Sequence, residues 1–251
     1  MIPLKTGEDL EGMRRSCRAV SEILEKVSGK VAPGVTTKEI DEYAAELLAK
    51  AGGKSAFLGY RGFPGNICIS VNEEVVHGIG GSRKLCYGDA VKLDIGIILD
   101  GWVGDSAHTV PVGAVDPAVE RLLRRTEEAL YKGIDQARAG NRLGDIGAEI
   151  EKWVTQGGYT VVREFVGHGV GRKLHEEPQI PNYGKAGTGP KLKAGMTLAI
   201  EPMVNMGRCE VRILSDGWTV ETIDKKPSAH FEHTVLVTER EPEILTCREI
   251  P

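Results

Sequence analysis

The sequence predicts an α+β fold, on three observations. Amphipathic helical pairs occur twice, early in the chain and again past its middle. Each pair is accompanied by short runs that read as strands. Between the pairs, residues 91–110 carry apolar and β-branched runs on either side of Asp100-Gly101, the strongest short hairpin signal. Two helix pairs with strands suit one sheet covered by helices on one face. A chain of 251 residues can bury one large core or that of two halves.

The first helix is expected over 7–29, where Leu10, Met13, Cys17, Val20, Ile23, Leu24 and Val27 recur mostly at steps of three and four. Thr6 with Asp9 reads as its start and Gly29 as its stop. Thr36-Thr37-Lys38-Glu39 is a capping box. It opens a second helix over 37–51, closed by Gly52-Gly53. Residues 54–88 read as irregular, with one strand at Asn66–Val71 and another beginning at Val75-Val76-His77. After the hairpin, Asp116-Pro117 starts a long helix that runs to about Ala139 and stops at Gly140. A fourth helix covers roughly 144–156 and ends at Gly157-Gly158. The remainder is strand-rich: Thr160–Phe165, Thr197–Glu201, Val211–Leu214, Trp218–Thr222 and His230–Thr238, separated by Gly- and Pro-rich loops. The stretch from Ala32-Pro33-Gly34 to Glu39-Ile40 is echoed from Arg138-Ala139-Gly140 to Asp145-Ile146 at an offset of 106. We therefore expect a single domain over 1–251 with pseudo-repeat halves at 7–110 and 114–238.

Net charge of -4 and a pI near 5.9 argue against general affinity for nucleic acid or an anionic membrane. Cys17, Cys68, Cys86, Cys209 and Cys247 form no CxxC and no even framework, and read as reduced thiols of a cytosolic protein. The N-terminal stretch lacks an apolar signal core, and nothing approaches transmembrane length. A cytoplasmic protein with no membrane span is expected.

The hairpin carries the first chemistry. If Asp100 and Gly101 form a two-residue turn, Leu99 faces Trp102, Asp94 opposes Ala107 and Asp105 opposes Gly96. Asp94 and Asp105 are then diagonal neighbours on one face, with Cα atoms about 7–8 Å apart. Gly96 and Ala107 leave the space between them open. Carboxylates set among Val, Leu and Ile are costly, and a divalent cation relieves both burial and repulsion. The alternative is a pair that points into solvent from an edge strand.

Further ligands must come from elsewhere. Gly167-His168-Gly169-Val170-Gly171 reads as a glycine-rich loop after a strand, and Leu174-His175-Glu176-Glu177-Pro178 supplies a second histidine without HExxH spacing. Glu201 ends an apolar strand before Pro202. Alternation from His230 puts His230, Glu232 and Thr234 on one face and Phe231, His233 and Val235 on the other. Each glutamate alone reads equally as a solvated or ion-paired side chain, and a lone loop histidine is more often a surface residue than a ligand. Together, Asp94, Asp105, His168, Glu201 and Glu232 give four carboxylates and one imidazole. That set suits Mn, Fe(II), Co or catalytic Zn, and it suits two ions roughly 3.5–4 Å apart better than one.

At these residues the sequence resembles the type I methionine aminopeptidases. The motifs are Leu93-Asp94-Ile95-Gly96, Gly104-Asp105, the glycine run around His168, His175-Glu176-Glu177-Pro178, Ile200-Glu201-Pro202 and Glu232-His233-Thr234. Their order and spacing agree from Lys5-Thr6 to Thr238. The resemblance implies the pita-bread fold: pseudo-twofold halves and a curved, mainly antiparallel sheet with helices on its outer face. It implies that Asp94 chelates one metal, Asp105 and Glu232 bridge both, and His168 and Glu201 complete the other site. His77 and His175 match the two histidines that contact substrate without binding metal. Tyr60, Cys68 and Trp218 match positions of the methionine pocket. Phe57, Phe63 and Leu174 depart from it, standing where cysteine, tyrosine and an aromatic are frequent, so pocket shape and inhibitor preference are in question.

The activity implied is removal of the N-terminal methionine from nascent proteins and peptides by a metal-bridging hydroxide. Glu201 is the expected proton shuttle, His175 the donor to the developing oxyanion and His77 the contact to the scissile amide nitrogen. The pocket of Phe57, Tyr60, Phe63, Cys68 and Trp218 would take the methionine side chain. Expected partners are N-termini emerging at the ribosome, with no nucleic-acid binding, and the family suggests a monomer. An X-Pro hydrolase of the same fold, a non-catalytic binder and a metal-storage protein are the rival readings.

Overall fold

The computed structural model describes residues 2–247; Met1 and residues 248–251 of the expected domain lie outside them. In chain order it runs α1 (Glu8–Ser28), α2 (Thr37–Lys50), β1 (Lys54–Ser55), a 3-10 turn at Tyr60–Gly62, β2 (Cys68–Val71), β3 (Glu74–Val76), β4 (Ala90–Leu99) and β5 (Trp102–Pro111). There follow α3 (Pro117–Ile134), α4 (Leu143–Gln156), β6 (Thr160–Val161), β7 (Gly167–Gly169), β8 (Glu176–Ile180) and β9 (Thr197–Ile200). The last strands are β10 (Met203–Asn205), β11 (Val211–Ile213), β12 (Val220–Thr222), β13 (Ser228–His230), β14 (Glu232–Leu236) and β15 (Glu243–Ile244).

One nine-stranded antiparallel sheet dominates, in the order β1-β4-β5-β14-β9-β7-β8, with β2 also on β4 and β15 also on β14. The helices cover it. Val20, Ile23, Leu24 and Val27 of α1 and Ile40, Ala44 and Leu48 of α2 pack on Leu93, Ile95 and Ile97 of β4. Leu122, Leu130 and Ile134 of α3 and Ile146, Ile150 and Val154 of α4 pack on Leu198, Ile200 and Val235. Two small sheets, β13-β10-β6 and β11-β12-β3, flank the large one. The buried Lys92 ties them together: its ammonium donates to the Asn72 carbonyl at 2.7 Å and the Ser228 carbonyl at 3.2 Å.

The local signals that worked are short-range ones. Thr36 and Glu39 form the reciprocal capping box, and Asp116 caps α3 with proline at its first position. Asp100 (φ 50°) and Gly101 (φ 74°) make the two-residue turn. The register is therefore the expected one: Leu99 pairs with Trp102, Asp94 with Ala107 and Gly96 with Asp105.

Several boundaries differ, each for a tertiary reason. Gly7, not Thr6, caps α1, without a side-chain hydrogen bond, and Gly29 keeps a right-handed φ of -66°. The third helix stops at Ile134 rather than Ala139, because Arg138 leaves to bridge Thr238. The run Thr160–Phe165 is a strand only over Thr160–Val161. The expected single strand His230–Thr238 is two strands broken at Phe231. His230 pairs with Met203 in a small sheet and Glu232 with Ala107 in the large one. Gly167–Gly169 is a strand, not a loop. A Cβ on Gly167 would lie 2.4 Å from the Ala199 carbonyl oxygen, and one on Gly169 2.2 Å from that of Glu177. The glycines are there because neighbouring backbones leave no room for side chains.

Candidate active site

Sheet register alone gathers the five proposed ligands. Asp94 pairs with Ala107 and Ala107 with Glu232. The β14–β9 register, His233 to Ile200, carried one residue further, sets Glu201 beside Glu232. That is one row across the sheet. In the next row Asp105 pairs with Gly96, and His168 and Thr234 both pair with Ala199. Asp94 and Asp105 come from the hairpin β4–β5, His168 and Glu232 from β7 and β14, and Glu201 follows the last residue of β9. The space above Gly96, expected to be open, is taken by neighbours: a Cβ there would lie 2.6 Å from the Phe57 ring and 2.9 Å from the Ala56 Cβ.

Hydroxyls fix the strands that carry the proposed ligands to one another. Ser106 Oγ donates to the Glu232 carbonyl at 2.9 Å, and Thr234 Oγ1 donates to the Asp105 carbonyl at 2.8 Å. Thr109 Oγ1 donates to the His230 carbonyl at 2.6 Å and accepts from the His230 N–H at 3.0 Å. The Ser106 and Thr234 bonds span the β5–β14 seam and the Thr109 bonds tie β5 to the end of β13, where the early and late parts of the chain meet.

The side chains converge. Oxygen atoms of Asp105 and Glu232 and a nitrogen of His168 lie within 4.8 Å of one another. His168 Nε2 is 3.7 Å from Asp105 Oδ2 and 3.4 Å from Glu201 Oε1. His168 Nδ1 lies 2.9 Å from the Gly169 carbonyl, which can only accept, so Nδ1 carries the proton and Nε2 is a bare donor atom. Burial pushes Asp94 up to about 7 and Glu201 to about 8. Burial, reinforced by the neighbouring carboxylates, holds Asp105 and Glu232 well above the usual range. Burial holds His168 down at about 3, neutral at any ordinary pH. Asp94 Oδ1, Asp105 Oδ1 and Glu232 Oε1 are shielded from water and make no hydrogen bond. Shielded carboxylate oxygens without donors, facing a neutral imidazole, fit divalent cations: each needs positive charge, and no lysine or arginine among the described residues supplies it.

The site opens into a cavity of about 830 Å³ that reaches every other residue expected at it. Phe57, Phe63 and Cys68 are buried in its wall, and Trp218 stands edge-on to Phe63 with centroids 5.2 Å apart. Tyr60 Oη lies 2.8 Å from His175 Nδ1. With that hydroxyl donating, the His175 proton sits on Nε2. The His175 and His168 rings stand 4.2 Å apart. Glu176 anchors the turn before His175. It accepts from the Arg172 N–H at 2.8 Å and from the Lys5 ammonium at 2.6 Å, and both side chains of that ion pair are buried. His77 has a φ of 59°, unusual for a non-glycine residue and characteristic of functional sites. It stacks edge-on against Phe165, a wall residue the sequence did not single out. Sequence alternation marks His230 only as sharing the face of Glu232; the structure places it, fully buried, beside Glu201.

Comparison with known proteins agrees with this geometry. The "Methionine aminopeptidase 1" of Bacillus subtilis is 51% identical over 246 residues, covering 98% of this chain and 99% of that protein. The "Methionine aminopeptidase" of Clostridium perfringens is 50% identical over 246 residues, with the same coverage. The crystal structure of methionine aminopeptidase from Thermotoga maritima superposes with a TM-score of 0.97 at 46% identity, covering 99% of this chain and all of that one. The curled antiparallel sheet with outer helices is thus the pita-bread arrangement. Residues 11–239, which include every proposed ligand, match metallopeptidase family M24, and the chain belongs to that family.

Proposed function

We infer that this metallopeptidase removes methionine from the N-terminus of peptides and proteins. The observation that carries this reading is a single cavity with the buried carboxylate cluster beside a wall of Phe57, Phe63, Cys68 and Trp218. The cluster supplies hydrolytic chemistry, and the wall suits a thioether side chain. The high-identity relatives carry the same activity in their names.

We propose two divalent ions, Co, Mn, Fe(II) or Zn, with Asp94 on one, Asp105 and Glu232 shared, and His168 and Glu201 on the other. When bound, such ions make water nucleophilic near neutral pH and polarise the scissile carbonyl. The chain's own residues do the rest. Glu201, which lines the cavity beside the carboxylate cluster, is suited to take a proton and return it to the leaving amine. His175, its Nδ1 engaged by Tyr60, points an Nε2–H at the developing oxyanion. His77, held neutral by burial, contacts the scissile amide. We place it in the cytoplasm, as a monomer acting on chains that leave the ribosome.

Apo protein reloaded with single metals and offered Met-Ala-Ser and Xaa-Pro peptides tests the reading. We expect metal-dependent release of methionine and two ions per chain. Cleavage of the Xaa-Pro peptides instead would transfer the chain to the X-Pro hydrolases, and saturation at one ion would refute the dinuclear centre.

A further inference from the structure

His230 ends β13 two residues before Glu232 and is 1% exposed. Neither of its ring nitrogens makes a hydrogen bond. An imidazole sealed from water without partners is destabilising, and native structures keep such groups for a reason. Its Nε2 lies 3.6 Å from Glu201 Oε2, while Glu201 Oε1 faces His168 Nε2 at 3.4 Å. The Glu201 carboxylate thus sits between two imidazoles, one at each oxygen. His230 is also held in place, since Thr109 grips both its N–H and its carbonyl across the β5 seam. Ser106 secures Glu232 in a similar way.

We propose that His230 is a positioning residue of the metal centre. Its Nε2–H donates to Glu201 Oε2 and holds that carboxylate so that Oε1 is presented to the metal ions. A normal N–H···O separation of about 2.9 Å needs an approach of only about 0.7 Å, within the rotation of the glutamate side chain. His230 does not join the ligands: it locks one of them. Ligand carboxylates are commonly fixed by such a second donor, and its loss typically weakens metal binding 10–100-fold. The proposal rests on the reading of Glu201 as a metal ligand.

His230→Met fills the same space without a donor, and His230→Gln restores an N–H of similar reach. Both are compared with wild type by Co(II) titration of apo protein, by the visible spectrum of the Co(II) form, and by kcat and KM on Met-Ala-Ser. We expect His230→Met to bind Co(II) about 10–100-fold more weakly, with a shifted spectrum and a fall in kcat larger than any change in KM. His230→Gln should recover most of the affinity and the wild-type spectrum. Unchanged Co(II) affinity and spectrum in His230→Met overturn the proposal, as do equal losses in both variants. If His230→Met does not fold, nitrogen NMR of the His230 ring in Zn(II)-loaded wild type decides. A protonated, hydrogen-bonded Nε2 supports the role, and an unprotonated or metal-bound Nε2 overturns it. A wild type that takes up no ions or leaves Met-Ala-Ser intact refutes the functional reading itself. A two-ion, active wild type with an indifferent His230→Met refutes the role of His230 alone.

Discussion

At the residue scale, charge state controls the site. With Asp94 and Glu201 holding metal as proposed, binding must displace their protons, since burial raises them to about 7 and about 8. His168 is already neutral and contributes no proton. Affinity for a divalent ion should therefore tighten as pH rises from 6 to 8, by about tenfold per unit for each proton displaced. Calorimetric titration at pH 6, 7 and 8 in buffers of different ionisation enthalpy measures both the affinity and the proton count; a flat profile would contradict the geometry. His77 stands apart from the ligands, so His77→Ala should lower kcat by about 10²–10³-fold, the usual cost of one lost transition-state donor. Metal content, read by mass spectrometry, should stay at the wild-type value, and metal loss with normal turnover would remove His77 from its role. Asp94 and Asp105 were legible because Asp-Gly turn chemistry is local and sets every pairing of the hairpin. His230 was not. Alternation gave its face, but the break at Phe231 and the approach of Glu201 depend on strands far away in the chain.

At the element scale, crowding rather than propensity explains where the sequence misleads. Glycines around His168 read as a loop, yet they form β7, pressed between β9 and β8. Gly169→Ala sets a Cβ 2.2 Å from the Glu177 carbonyl oxygen, a backbone atom that cannot turn aside. We expect a loss of about 1–3 kcal/mol in denaturant melts together with weaker metal binding, since His168 is the adjacent residue. Full stability in that variant would mean that β7 is a loop after all. The helix ends show the same division. The capping box at Thr36 and the proline start at Pro117 were readable in sequence because they close within one turn. The early end of α3 was not, because Arg138 is drawn off by Thr238, a hundred residues away.

At the scale of the whole molecule, the site straddles the seam between β5 and β14. Ions that bind only the folded chain stabilise it by linkage, about 2.7 kcal/mol at a free concentration a hundred times Kd. For a chain of this size, chelation should then lower Tm by about 5–10 °C, with the loss restored by added metal. Differential scanning calorimetry with and without chelator measures this, and identical melting curves would argue against ions held across the seam. The fold as a whole was legible because both helix pairs announce themselves by period and, α3 apart, by their stops. The joining of β5 to β14 was not, since pairing partners of short strands leave no local signal.

The hydroxyl bonds along that seam have a further consequence. Ser106, Thr109 and Thr234 fasten the backbones beneath the ligands through uncharged groups alone. Nothing in that fastening depends on an ion. Exchanging one divalent ion for another should therefore leave the backbone beneath the site unchanged and ask only side chains to adjust.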